Sequence, residues 1–170
     1  MKASMSPAPG SKAFGSLATA LAAIFMLSGA PSARAQDRPA LDAVTLHLFL
    51  EKSGQLSPDV AAIADFKSWN SSPSGAGLPD GDLFEAILIE VHFTSKNEIF
   101  AKGRQATVTV KHRRTGKVLM RRSIRDVYID RDGKVTKPVF LDGHSCTPLI
   151  VTVASGKKKI TKTLDLECGE

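Results

Sequence analysis

Residues 102–129 read KGRQATVTVKHRRTGKVLMRRSIRDVYI, two runs of alternating apolar and polar residues about a Thr-Gly turn. Alternation sends every second side chain of an extended chain to one face, and slipping the pairing by one residue exchanges the faces. Few registers survive that constraint. A three-residue loop of Arg114, Thr115 and Gly116 places glycine where a left-handed conformation is needed and pairs Arg113 with Lys117. It sets His112 against Val118, Val110 against Met120 and Ala106 against Ile124 on an apolar face. The opposite face then carries Lys111, Arg113, Lys117 and Arg121, with Thr107, Thr109 and Ser123 between them. A two-residue turn would oppose Val110 to Arg121 and mix the faces. Arg122 is the exception on the apolar side, consistent with a strand end or an acidic partner.

Charge is distributed as unevenly as hydrophobicity. Residues 99–125 hold nine Lys or Arg and no acid, whereas residues 36–98 hold ten acids and four bases. Residues 126–170 balance seven against seven, so the chain is electrically polarised rather than uniformly basic.

Residues 1–35 read as targeting. Lys2 and Lys12 precede an apolar run at 17–27 that is too short to span a bilayer, and Ala33-Arg34-Ala35 fits a small-x-small cleavage pattern. A signal peptide cleaved before Gln36 is expected, giving a periplasmic or secreted protein. The position after the cleavage site is not a cysteine, which argues against lipoprotein processing, and no later apolar run is long enough for a transmembrane segment. Cleavage lowers the formal charge from +6 to +3, with 20 basic and 17 acidic residues remaining. In an exported chain Cys146 and Cys168 are expected to form a disulfide.

Residues 36–43 form a short lead-in, and 44–170 a single domain. Strand periodicity runs through Val44, Leu46, Leu48 and Leu50, with His47 and Phe49 outward. Ser57-Pro58-Asp59 offers a helix start, predicting a short helix over residues 58–66, with an extended Val60 to Ile63 as the alternative, after which Phe66 and Trp69 are expected to plug one end of the core rather than stack on a ligand. Residues 70–82 are rich in turn formers and read as a long loop. Residues 83–93 are apolar on both faces, as in a central strand, with Glu90 and His92 toward solvent. Asp132-Gly133 predicts a hairpin turn into a strand over 135–141, which Pro138 demotes to an edge or a bulge. Tyr128 occupies a position where a calcium loop needs an oxygen ligand, so Asp130 to Gly133 reads as a turn. The last hairpin turns at Gly156-Lys157, with Leu149, Val151, Val153, Ile160, Leu164 and Leu166 inward. Its register sets Cys146 against Glu167, one place from Cys168, so the bridge is expected from a loop or across a bulge.

About seven strands and one short helix inserted after the first strand predict an all-β protein, an antiparallel β-sandwich. Immunoglobulin-like topology is expected, with a C2-like sandwich or a flattened barrel as alternatives.

No nucleophile elbow, phosphate-binding glycine loop or helical metal motif is present, so no catalytic residue and no cofactor is expected. A disulfide removes Cys146 as a nucleophile and leaves His144 as a loop histidine. The expected role is non-enzymatic: an exported binding domain whose contact residues are Lys111, Arg113, Lys117 and Arg121. Its partner would be an acidic protein, an acidic polysaccharide or lipid headgroups, and not nucleic acid, because the stretch lacks suitable stacking aromatics. The same cations would also protect an exposed strand edge from aggregation, and the acidic half of a second copy is a further partner. The alternative is a metal-binding or hydrolytic protein that uses His47, His92, His112 or His144, with no metal site assignable from spacing.

Overall fold

The computed structural model describes residues 38–169. They form an all-β, sandwich-like arrangement of antiparallel sheets. Seven long strands are β1 (Ala40–Leu50), β5 (Phe84–Thr94), β6 (Ile99–His112), β7 (Val118–Ile129), β8 (Lys134–Asp142), β9 (Leu149–Ser155) and β10 (Lys158–Leu164). Four short ones are β2 (Gln55–Leu56), β3 (Lys67–Trp69), β4 (Ser72–Ser74) and β11 (Leu166–Glu167). One sheet has the order β2-β1-β5-β8 and the other β10-β9-β6-β7, while β11, β3 and β4 make a small third sheet. The expected signal peptide lies outside the described residues, and among those described no helix is long and apolar enough to cross a membrane.

Alternation builds the core. Leu46 and Leu48 of β1, Ile87, Ile89, Val91 and Phe93 of β5, Val108 and Val110 of β6, and Val151 and Val153 of β9 are buried in one cluster. The first strand begins at Ala40, ahead of the expected Val44, and a bulge between Leu41 and Val44 keeps it in step with β5. Pro138 lies on β8, which pairs only with β5 and is therefore an edge strand, where a missing N–H costs no ladder bond.

Four local expectations are corrected, the first being the core plug: Phe66 packs against the core, but Trp69 is 56% exposed. In place of a helix over 58–66 there is a three-residue 3-10 turn, Val60–Ala62. Ser57 Oγ accepts from Leu48 N at 2.8 Å and donates to Pro58 O, and Asp59 Oδ1 accepts from both Leu46 N and Ala61 N. The capping groups thus stitch this segment to β1, and the chain stays extended beside it. The loop expected at 70–82 is partly strand, because Asn70 and Ser71 both adopt positive φ, 49° and 61°, and make a two-residue turn between β3 and β4. The Asp-Gly turn does not close a hairpin: β7 and β8 belong to different sheets, and residues 130–133 carry the chain across the sandwich. Gly133 has the left-handed φ of 71° that the dipeptide favours, yet β8 finds its partner in β5.

The β9–β10 register is as expected, from Ser155 against Lys158 to Leu164 against Leu149. Cys146 stays in the preceding loop, Cys168 follows β11, and they form a disulfide with 5.2 Å between Cα atoms. Elsewhere, burial pushes the Asp82 carboxyl up, but N–H groups of Lys52, Leu83 and Ser53 donate to it and hold it net below its ordinary range. Replacing both cysteines by serine should lower unfolding stability by about 3 kcal/mol in denaturant titrations, as expected for a loop of this length. Non-reducing peptide mapping should recover the Cys146 and Cys168 peptides linked.

Candidate functional site

The β6–β7 pairing confirms the main register, with Ala106 opposite Ile124 and Val110 opposite Met120. The turn is one residue longer than expected. His112 N donates to Lys117 O and Gly116 N to His112 O, so His112 pairs with Lys117, residues 113–116 form the loop, and the slip is absorbed between Val110 and Lys111. Arg113 N is drawn away to Pro148 O at 2.7 Å, extending the β6–β9 ladder beyond His112 and Leu149. Gly116 takes the expected left-handed φ of 70°.

This geometry separates the four contact residues expected from sequence. Lys111 and Arg121 stand on the outer face of the sheet, in rows that continue into β9 and β10. Arg113 and Lys117 belong to the turn region, where Arg113 pairs with Asp165 and neighbouring Arg114 with Glu167 at 3.1 Å. Among the described residues, Lys111, Lys117 and Arg121 have no ion-pair partner. Arg122 pairs with buried Val108 but is itself exposed, because β7 is the sheet edge; a charge aimed inward there also discourages strand addition.

The basic character extends beyond the hairpin. Strands β6, β7, β9 and β10 together carry nine Lys or Arg and a single acid, Asp126. That acid accepts from Gly103 N at 2.7 Å and sits at φ 51°, where a bulge interrupts the hairpin. One outer row runs Arg121, Thr109, Thr152, Thr161 across the four strands, and the next runs Ser123, Thr107, Ala154, Lys159. Thr152 and Thr161 hydroxyls lie 3.3 Å apart. Sequence reading missed two exposed aromatics at the open end of the hairpin, Phe100 and Tyr128, which form a cross-strand pair and are 56% and 49% exposed, so the expected absence of stacking aromatics, the ground for setting a nucleic-acid partner aside, does not hold. Their signal was present: each alternates with inward-facing residues, Ile99 and Ala101 or Val127 and Ile129. Tyr128 donates to Glu98 Oε1 at 2.7 Å, and this bond pushes the phenol pKa above its ordinary value.

On the outer face of the other sheet two of the four histidines meet. His47 Nε2 and His92 Nε2 lie 2.9 and 3.1 Å from Thr45 Oγ1, and each lies 3.7 Å from Glu90 Oε2. The Ser57 carbonyl, 2.7 Å from His47 Nδ1, can only accept, so that nitrogen carries the proton. Thr45 Oγ1 also donates to Glu90 Oε2 at 3.5 Å, so its single hydroxyl proton faces the carboxylate as well as the two Nε2 atoms. On the far side of the His92 ring, Nδ1 lies 2.9 Å from the Thr136 hydroxyl. One chain of hydrogen bonds therefore crosses β1, β5 and β8. His112 Nδ1 instead accepts from Arg114 N in the turn, and His144 lies in the loop before Cys146. Among the described residues no group of three His, Cys, Asp or Glu is arranged to hold a metal.

No protein-family model matches this chain, and no curated protein matches it. For the histidine chain, Thr45→Val should reduce stability by about 1 kcal/mol, since it leaves two imidazole nitrogens without their shared partner. Imidazole nitrogen NMR shifts of both His47 and His92 should move in that variant, while those of His112 and His144 stay in place.

Proposed function

We propose that this protein is an exported, non-enzymatic binding domain that engages an anionic partner through the outer face of the β10-β9-β6-β7 sheet. The observation that carries the reading is the lack of compensation on that face. Lys111 and Arg121 project from it with no carboxylate in reach, although the fold supplies Asp165 and Glu167 to the neighbouring arginines of the turn. Like charges held together without counter-ions repel one another and raise the local potential, a cost that an anionic ligand relieves. Edge protection explains Arg122, at the rim of the sheet, better than it explains Lys111 on β6, which lies between β7 and β9 there. Export is supported by the N-terminal sequence pattern and is compatible with the disulfide.

Lys111→Glu with Arg121→Glu should abolish retention on an anionic matrix at ~0.15 M salt while moving the unfolding midpoint little, because both side chains are exposed. Wild-type retention should weaken steadily as salt is raised. Unchanged retention of the double variant would refute the reading.

A second reading, histidine-based metal binding or hydrolysis, is favoured by the meeting of His47 and His92 at Thr45 and Glu90. It ranks below the first because the Thr45 hydroxyl stands between the two rings, where a metal would have to sit. Under it, calorimetric titration with Zn2+ should show saturable binding that His92→Ala removes; heat that is unchanged in His92→Ala counts against it.

A further inference from the structure

Beside the part of β6 that extends past its pairing with β9, next to the start of β1, lie two adjoining pockets that share Arg38, Arg104 and Gln105. The larger, about 560 Å3, is lined by Phe100 and Lys102 as well; the smaller, about 320 Å3, reaches Lys157 and Lys158. Their linings bring together five positive side chains and no carboxylate. The contrast with the turn end is direct, since Arg113 and Arg114 there are each matched by an acid. A pocket of this volume suits one or two rings of a small ligand.

We propose that these pockets are the anchoring subsite for an acidic polysaccharide, holding a carboxylated or sulfated sugar ring against Phe100 while the polymer continues over the hydroxyl rows of the sheet. The inference rests on the anionic-partner reading and narrows it to one class of partner. Three observations select a glycan. First, an exposed aromatic ring beside uncompensated cations offers a pyranose both an apolar face to pack on and charges to neutralise. Second, the hydroxyls of Thr107, Thr109, Ser123 and Thr163 have no hydrogen-bond partner within the described fold, so they are available to a ligand rich in hydroxyls. Third, the features wanted by the other two partners are weak. An acidic peptide adding as a strand to the free part of β6 would need open backbone groups, but Gln105 Nε2 already bonds the carbonyls of Ala101, Lys102 and Gly103, and Ser155 Oγ bonds that of Gln105. A bilayer would favour large apolar side chains on the same face, and past the aromatic pair only Val118 is exposed.

Polygalacturonate, polyglutamate of matched charge, neutral dextran and vesicles containing anionic lipid serve as probes, each titrated into the purified chain at ~0.15 M salt. The glycan inference expects polygalacturonate to bind about tenfold tighter than polyglutamate, and dextran not at all. Phe100→Leu should remove most of that preference while leaving polyglutamate binding within about twofold of wild type. Thr109→Val with Thr152→Val, isosteric changes on an outer face, should do the same and guards against a folding defect in the first variant. Equal affinity for the two carboxylated polymers, or tighter binding to vesicles, would overturn the glycan inference while leaving the anionic-partner reading in place. Binding to none of the charged probes would overturn both.

Discussion

Two sheets bury their inner faces against each other, and every other feature is subordinate to that contact. Each long strand contributes alternate side chains to one continuous cluster, from Leu46 and Leu48 through Ile89 and Val91 to Val108, Val110, Val151 and Val153. Burial of this kind contributes about 25 cal/mol per Å2 of apolar area removed from water, and a one-residue slip in any strand would forfeit its whole share. The fold therefore tolerates bulges only where they return the strand to step. The interruptions between Leu41 and Val44 and near Gly103 are of that type: Leu41 and Val44 are buried on either side of the first, and Ile124 and Val127 of β7 on either side of the second.

Once the inner faces are committed, the outer faces are free to differ, and they do. One presents cations and threonine hydroxyls in rows; the other gathers His47, Thr45, Glu90, His92 and Thr136 into a chain of hydrogen bonds. Side chains two residues apart on a strand and side by side on neighbouring strands come within reach of each other, which is how residues remote in sequence meet here. Thr45 and Glu90 are cross-strand partners in the β1–β5 register, so the two histidines converge on an existing pair.

Periodicity made the long strands and the main hairpin register legible in the sequence, and the proline and the two cysteines narrowed β8 to an edge or a bulge and pointed to a disulfide, because each depends on local pattern or residue chemistry. Pairing partners were less legible. Asp132-Gly133 carries the same local preference whether the chain folds back or crosses to the other sheet, and only the unfilled edge of β5 decides. The Asn70-Ser71 turn lacked a glycine and so looked like loop, although asparagine tolerates positive φ well enough to close β3 on β4. Of the contact residues, Lys111 and Arg121 kept their expected face, but the compensation of Arg113 by Asp165 joins residues that are far apart in the chain, and no spacing rule reveals such a pair. The basic pockets were hidden for the same reason: they draw on Arg38, on β6 and on the β9–β10 turn together.

The disulfide closes the chain segment that carries Asp165 and Glu167, the acids that quench Arg113 and Arg114. Besides restraining the unfolded chain, it keeps a negative border along one end of the basic sheet. The covalent link thus acts as an electrostatic fence, marking where the positive surface stops and giving an otherwise uniform charged face a direction, from a neutralised end to an open one.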